Sequence, residues 1–191
     1  MRVPWVSFTA IAALAGLVVA NLQMRAAATA PSAAFAPAPI VAGVAPTSLI
    51  VPVVGVARDQ LNDTWGQARS EGRVHEGIDI FAPLGTPVVA AADGRIVKFF
   101  DSVRGGVTIY EIDARGRFIY YYAHLHGRAF ALAEGDAVRQ GQTIGFVGMS
   151  GNAPIPHLHF EVERLGGDRK WWRAEAMNPY PLLMAGVAPL A

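Results

Sequence analysis

The chain has 191 residues, room for one ordinary domain plus extensions, and its 16 basic and 15 acidic residues leave a net charge of +1. That balance argues against a nucleic-acid partner, and no basic run marks a phosphate or lipid surface. With no cysteine in the chain, a disulfide framework, a thiolate metal site, a cysteine nucleophile and a lipidated N-terminal cysteine are all excluded.

Residues 1–24 read as a targeting segment. Arg2 precedes an uncharged, mostly apolar run from Val3 to Gln23. The run has the make-up of a secretory signal peptide, with a small-x-small site at Ala26-Ala27-Ala28. It is also close to the ~20 residues that span a bilayer, so a retained membrane anchor through residues 3–23 fits equally well. Both versions predict an exported protein, periplasmic or anchored in the inner membrane and facing the periplasm, or else extracellular. Residues 25–52 are rich in alanine and contain five prolines. Proline lacks an amide donor and disfavours helix, so this stretch reads as an extended linker.

The compact domain is expected over residues 53–185, followed by a short tail at 186–191. Its signals are those of β structure: "TPVVAAADG", "RIVKFFDS", "GVTIYEID", "RFIYYYAHL", "QTIGFVGMSG" and "HLHFEVERLGG". These runs are short, rich in β-branched and aromatic residues, and separated by glycine-containing turns. Helical periodicity is confined to a short stretch near Arg173 to Met177. The expectation is an all-β domain with antiparallel pairing, a sandwich or barrel.

The five histidines fall in three short stretches, "VHEGIDI" (His75), "YYAHLHG" (His124 and His126) and "PHLHFE" (His157 and His159). In a strand, side chains at i and i+2 share a face roughly 6.6 Å apart. His157 and His159 therefore project together while Leu158 and Phe160 face the core, and the pair supplies either two metal ligands or a ligand and a base. Four residues of extended strand cover about 13 Å, too far for His75 and Asp79 to bind one ion at about 2.1 Å. His75 must then lie on a bend that Gly77 permits, with Asp79 opening the next strand. Two imidazoles and one carboxylate make the three-ligand set that catalytic zinc uses, with a fourth position open for water. The absence of sulfur ligands favours a single zinc ion over softer metals.

Taken together, "HEGIDI", "GTPVVAAADGRIV", "YYAHL", "GDAVRQGQTIGFVGMSG" and "PHLHFEV" resemble, in order and spacing, the lysostaphin/LytM-type zinc metallopeptidases that cut peptidoglycan peptides. The resemblance runs from about Thr64 to Leu183. It implies a β-sandwich-like fold (a duplicated hybrid motif) and a zinc metalloendopeptidase acting on peptidoglycan stem peptides or cross-links. It implies His75, Asp79 and His159 as metal ligands. It also implies His124 and His157 as the catalytic pair that activates water and stabilises the tetrahedral intermediate. His126 stands where the family has no fixed histidine and reads as a surface residue. Ile155 replaces a frequent family glycine, and the loops between strands are short. Some relatives have lost their ligands and serve as silent peptidoglycan-binding activators of other wall hydrolases. Every ligand position is intact in this chain, which favours the enzyme.

Three further residues are candidates for substrate binding: Arg69 and Arg73, just upstream of His75, and Tyr122, from the run Tyr120-Tyr121-Tyr122 that precedes His124. Trp171 and Trp172 suit either a binding platform or a packed edge. "GDAVRQGQTIG" also resembles a hairpin of biotinyl or lipoyl carrier domains, but Lys98 and Lys170 sit in no such turn.

Overall fold

The computed structural model describes residues 48–188. The targeting segment and residues 25–47 of the expected linker lie outside the described residues. Among the described residues no helix is long and apolar enough to cross a membrane.

Among the described residues nine strands follow in chain order: β1 (Ile78–Phe81), β2 (Pro87–Val89), β3 (Gly94–Ser102), β4 (Gly106–Asp113), β5 (Phe118–Arg128), β6 (Ala137–Val138), β7 (Thr143–Val147), β8 (His157–Arg164) and β9 (Glu175–Met177). All pair antiparallel within one sheet of order β1-β8-β5-β4-β3-β6, to which β2 joins through β7, β7 through β5, and β9 through β8. The all-β, antiparallel expectation is met.

The longest strand, β5, organises the sheet. Its first half, Phe118 to Ala123, pairs with β8, and its second half, Leu125 to Arg128, pairs with β7. The partner changes at His124, where the backbone turns left-handed at φ 61°. On the β4 side the register runs Val107↔Leu125 and then Ile109↔Tyr122, so β5 carries one extra residue there. This is a β-bulge, a device that re-aims a side chain. The fork leaves little room: a Cβ on Gly148 would stand 2.1 Å from the His126 nitrogen and 2.5 Å from the His124 carbonyl oxygen.

One apolar cluster fills the interior, with Ile78 and Ile80 of β1, Tyr120 and Tyr122 of β5, and Leu158, Phe160 and Val162 of β8 at its centre. Burial of such side chains at roughly 25 cal/mol per Å² is the main stabilising term. Leu49, which the sequence pattern assigned to the linker, is fully buried in this cluster. The Ile50 amide donates to the Ala91 carbonyl.

The stretch near Arg173 to Met177 is not a helix. Trp171–Arg173 forms one 3-10 turn, and Glu175–Met177 is β9, paired with Arg164, Glu163 and Val162 at the exposed edge of β8. An open sheet edge outweighs the helical leaning of Ala-Glu-Ala-Met, because strand preference follows pairing context. The single α-helix among the described residues, α1 (Pro179–Ala185), comes directly after. Asn178 caps it by accepting from the Tyr180 amide, Pro179 occupies the first helical position, and Gly186 ends it in the left-handed conformation. Those are standard stop and start signals, and Leu183 anchors the helix in the core.

Candidate active site

The sheet register builds the site. Asp79 on β1 is directly opposite His159 on β8, and His159 is directly opposite Ala123 on β5. One row across three strands thus places a carboxylate, an imidazole and a small residue on the same face. Ala123 is small enough to leave a cavity of about 430 Å³ above this row. His157, two residues before His159, shares its face and packs on Phe81, its partner in β1.

His75 precedes β1 and reaches the row because the chain bends at Gly77. Thr64 fixes both ends of this bend. Its carbonyl oxygen accepts from His75 Nδ1 at 2.7 Å, and its hydroxyl oxygen accepts from the Asp79 amide at 3.0 Å. Glycine at position 77 is demanded by close approach: a Cβ would lie 2.5 Å from the Phe160 carbonyl oxygen and 3.0 Å from His159 Cε1.

Three donor atoms converge as a result. His75 Nε2 lies 2.8 Å from His159 Nδ1 and 3.1 Å from Asp79 Oδ1, and His159 Nδ1 lies 3.2 Å from the same oxygen. Tetrahedral ligands about 2.1 Å from a zinc ion stand roughly 3.4 Å apart, so this triangle has the size and chemistry of a metal site. The tautomers agree. His75 Nδ1 is tied to the Thr64 carbonyl, and His159 Nε2 is tied to Glu161 Oε1 at 2.5 Å. Such outer partners orient ligating imidazoles and raise their basicity. His75, Asp79 and His159 could therefore hold a metal ion.

Electrostatics follow from the crowding. Burial opposes the Asp79 charge, but hydrogen bonds from His159 and His75 hold its carboxyl well below the usual range. Burial likewise opposes a charge on His159, while Asp79 and Glu161 together raise it to about 9. Metal binding must then displace a proton from His159 Nδ1.

Two more histidines face the same space. His124 Nδ1 is bonded to the Ser150 carbonyl at 2.9 Å and His157 Nδ1 to the Ile155 carbonyl at 2.8 Å. Each therefore turns Nε2 toward the groove, and His157 Nε2 lies 3.6 Å from Asp79 Oδ1. The two rings are 4.9 Å apart. Burial lowers the His124 imidazole to about 4, against the pull of its Ser150 hydrogen bond, so it is neutral at pH 7.

The structure thus gathers His75, Asp79, His124, His157 and His159, all five residues that sequence singled out for chemistry. His126 is exposed, on the surface as expected. Arg69 lines the groove with its guanidinium 2.5 Å from Asp79 Oδ2, so it steadies a prospective ligand. Arg73 lines the groove as well. Tyr122 does not. It is fully buried, with its hydroxyl donating to Glu111 at 2.7 Å and accepting from the Ala91 amide at 2.9 Å. Tyr121 is the member of the tyrosine run that borders the groove, edge-on to His159. Thr64, Glu161 and Arg104, another groove residue, escaped the sequence reading. Glu161 alone left a signal, since it is two residues past His159 on a strand and so shares its face.

An antiparallel β domain whose groove brings together a His/Asp/His donor triangle and two further oriented histidines has the layout of a metal-dependent hydrolase. The sequence matches peptidase family M23 over residues 73–179, and the chain belongs to that family. It is 38% identical over 131 residues to an L-Ala–D-Glu endopeptidase of Bacillus subtilis, covering 64% of this chain and 39% of that protein. It is 47% identical over 96 residues to the DD-carboxypeptidase/endopeptidase Mpg of Neisseria meningitidis serogroup B, covering 50% of this chain and 21% of that protein. The chain therefore spans well under half the length of these curated relatives. Among solved structures, the catalytic domain of lysostaphin from Staphylococcus simulans superposes with a TM-score of 0.57 at 31% identity, covering 66% of this chain and 94% of that domain.

Proposed function

We propose that this protein is an exported zinc metalloendopeptidase that hydrolyses peptide bonds in peptidoglycan stem peptides or cross-links. The observation that carries the reading is the orientation of four imidazoles around Asp79. Each has one ring nitrogen tied to a carbonyl or carboxylate oxygen and the other turned into a single groove. Family membership and relatives named as endopeptidases support the same chemistry. The apolar segment 3–23 behind Arg2 supports export to the periplasm, as a cleaved signal peptide or a retained inner-membrane anchor.

In this reading His75 Nε2, Asp79 Oδ1 and His159 Nδ1 hold one zinc ion. Zinc, when bound, polarises a carbonyl and lowers the pKa of water to about 7. His124 and His157 do the proton work. Each keeps Nδ1–H on a backbone carbonyl, so Nε2 is free to accept a proton from the attacking water. Once protonated, that Nε2–H first donates a hydrogen bond to the oxyanion and is then transferred to the leaving amine as the C–N bond breaks. Arg69 holds the Asp79 carboxylate in place.

The test is metal content together with digestion of cell-wall sacculi and mass analysis of the products. Purified protein should carry one zinc per chain and release peptides from sacculi. His159→Ala should lose both metal and activity. His124→Ala should keep the metal and lose activity by about 100-fold or more, the usual worth of a general acid–base group. Zinc-free protein that digests sacculi, or a His159→Ala variant with full activity, would remove the assignment.

A further inference from the structure

Arginines line one side of the groove, and they divide into two kinds. Arg69 is committed to the ligand cluster through Asp79. Arg73 and Arg104 come from separate elements and converge on a carboxylate of the chain itself, that of Glu71. Arg73 lies in a tight hairpin closed by the Ala68↔Val74 bridge and by the Arg69 amide donating to the Arg73 carbonyl at 2.9 Å. Arg104 lies in the turn between β3 and β4. Its Nη2 pairs with Glu71 Oε2, and Arg73 Nε stands 3.9 Å from the same oxygen. Arg73 Nε is buried yet has no hydrogen-bond partner.

Glu71 is held there at a cost. Its backbone is left-handed at φ 62°, ahead of Gly72 at φ 71°. A non-glycine residue in that region is strained, and such strain gathers at ligand clamps. The carboxylate gains little in return. The Glu71 and Arg104 side chains are 65% and 59% exposed, and exposed ion pairs contribute little. A second carboxylate could therefore displace Glu71 cheaply and meet two guanidinium groups, which bind carboxylates in forked, charge-assisted geometry.

Three acids line the groove itself. Asp79 and Glu161 are engaged with Arg69 and His159, and Glu76 is exposed at the border. Chain connectivity sets the subsite close to the chemistry. Arg73 is two residues from His75, and Gly105, next to Arg104, accepts the His124 amide at 2.8 Å. A carboxylate seated there would fix the register of a peptide over the reacting bond.

We propose that Arg73 and Arg104 form a carboxylate-binding subsite beside the reaction centre, which takes a free carboxylate of the peptide substrate in exchange for Glu71. The inference rests on the endopeptidase reading and deepens it: the preferred substrate carries an uncapped acid next to the scissile bond.

Two peptides test it, both containing an L-Ala–D-Glu bond and differing only in whether the free glutamate carboxyl is left as acid or amidated. Calorimetric titration of non-hydrolysable analogues, with the Ala–Glu amide nitrogen methylated, into the zinc-loaded full chain measures affinity, and cleavage of the unmodified peptides is followed in parallel. In the wild-type protein, amidation should weaken binding roughly 10-fold, the scale of a hydrogen bond to a charged group. Arg104→Ala should erase the difference between acid and amide. Glu71→Gln should tighten binding of the acid severalfold and leave the amide unchanged. Equal affinity of wild-type protein for both peptides overturns the subsite, as does a parallel shift of acid and amide in either variant. Cleavage without discrimination removes the subsite and leaves the endopeptidase. Discrimination in binding without any cleavage keeps the subsite and removes the endopeptidase.

Discussion

His159 is gripped at both ring nitrogens, with Nδ1 in the donor triangle and Nε2 on Glu161. Glu161 is itself steadied by Glu163, whose carboxyl is pushed up by burial and by the Glu161 charge, so that it stays protonated and donates to its neighbour. β8 thus lines up His157, the candidate ligand His159, its partner Glu161 and Glu163 along one face. Glu161→Ala should cost about 10- to 100-fold in zinc affinity, the usual price of losing an outer partner, and Glu161→Gln should recover part of it. Competition with a chelator measures both, and an unchanged affinity in Glu161→Ala would show that Glu161 does not orient His159. The candidate residues could be picked out because H-x-x-x-D, A-H-L and H-x-H are each local patterns, while the division of roles among them came only from the family resemblance. The groove tyrosine could not be picked out. Counting back by two from His124 selects Tyr122, but the extra residue of the bulge beside His124 inverts that parity, and Tyr121 takes the groove face. A bulge leaves no mark that strand alternation can read.

At the level of elements, short apolar runs between glycine turns announced the long strands, whereas β6, with two residues, and β9, with three, exist only because neighbouring edges offer them partners. α1 was not anticipated from periodicity, which seven residues hardly register, although Asn178, Pro179 and Gly186 cap it in the structure. Gly77 shows how tightly two elements can depend on one missing side chain. It sits where the chain enters β1 against β8, and a methyl group there meets the Phe160 backbone and the Glu161 and His159 side chains at once. Backbone cannot yield cheaply, so Gly77→Ala should destabilise the fold by about 1–3 kcal/mol and lower zinc affinity by shifting His159 away from Asp79. Gly127→Ala on β5 is the control, because a Cβ at that position meets nothing within 4 Å. Thermal denaturation and chelator competition on the two variants check the contrast, and equal behaviour would refute the crowding argument.

Across the whole molecule, what sequence could not supply was the pairing order. The row Asp79–His159–Ala123 joins residues 36 to 80 positions apart, and nothing local encodes such contacts. The same packing places an ionisable group in the core. Glu111 on β4 is fully buried. Its Oε2 accepts from Tyr122, but its Oε1 has no hydrogen-bond partner. Burial pushes its carboxyl up to about 8 against the help of Tyr122, and the Asp113 and Asp93 charges add to the rise. In the unfolded chain the same group titrates near 4.5. Between those values the native state holds a proton that the unfolded state has released. The stabilising contribution is therefore complete below pH 4.5 and drains away as pH rises toward 8, at up to about 1.4 kcal/mol per pH unit. Glu111→Gln, the neutral isostere of the protonated acid, should remove this slope. The variant should match the wild-type protein near pH 4.5 and exceed its melting temperature by several degrees at pH 8. Melting curves from pH 4.5 to 8 on both proteins decide the matter, and curves that stay parallel would mean that Glu111 is ionised in the fold and owes its place to contacts other than those seen here.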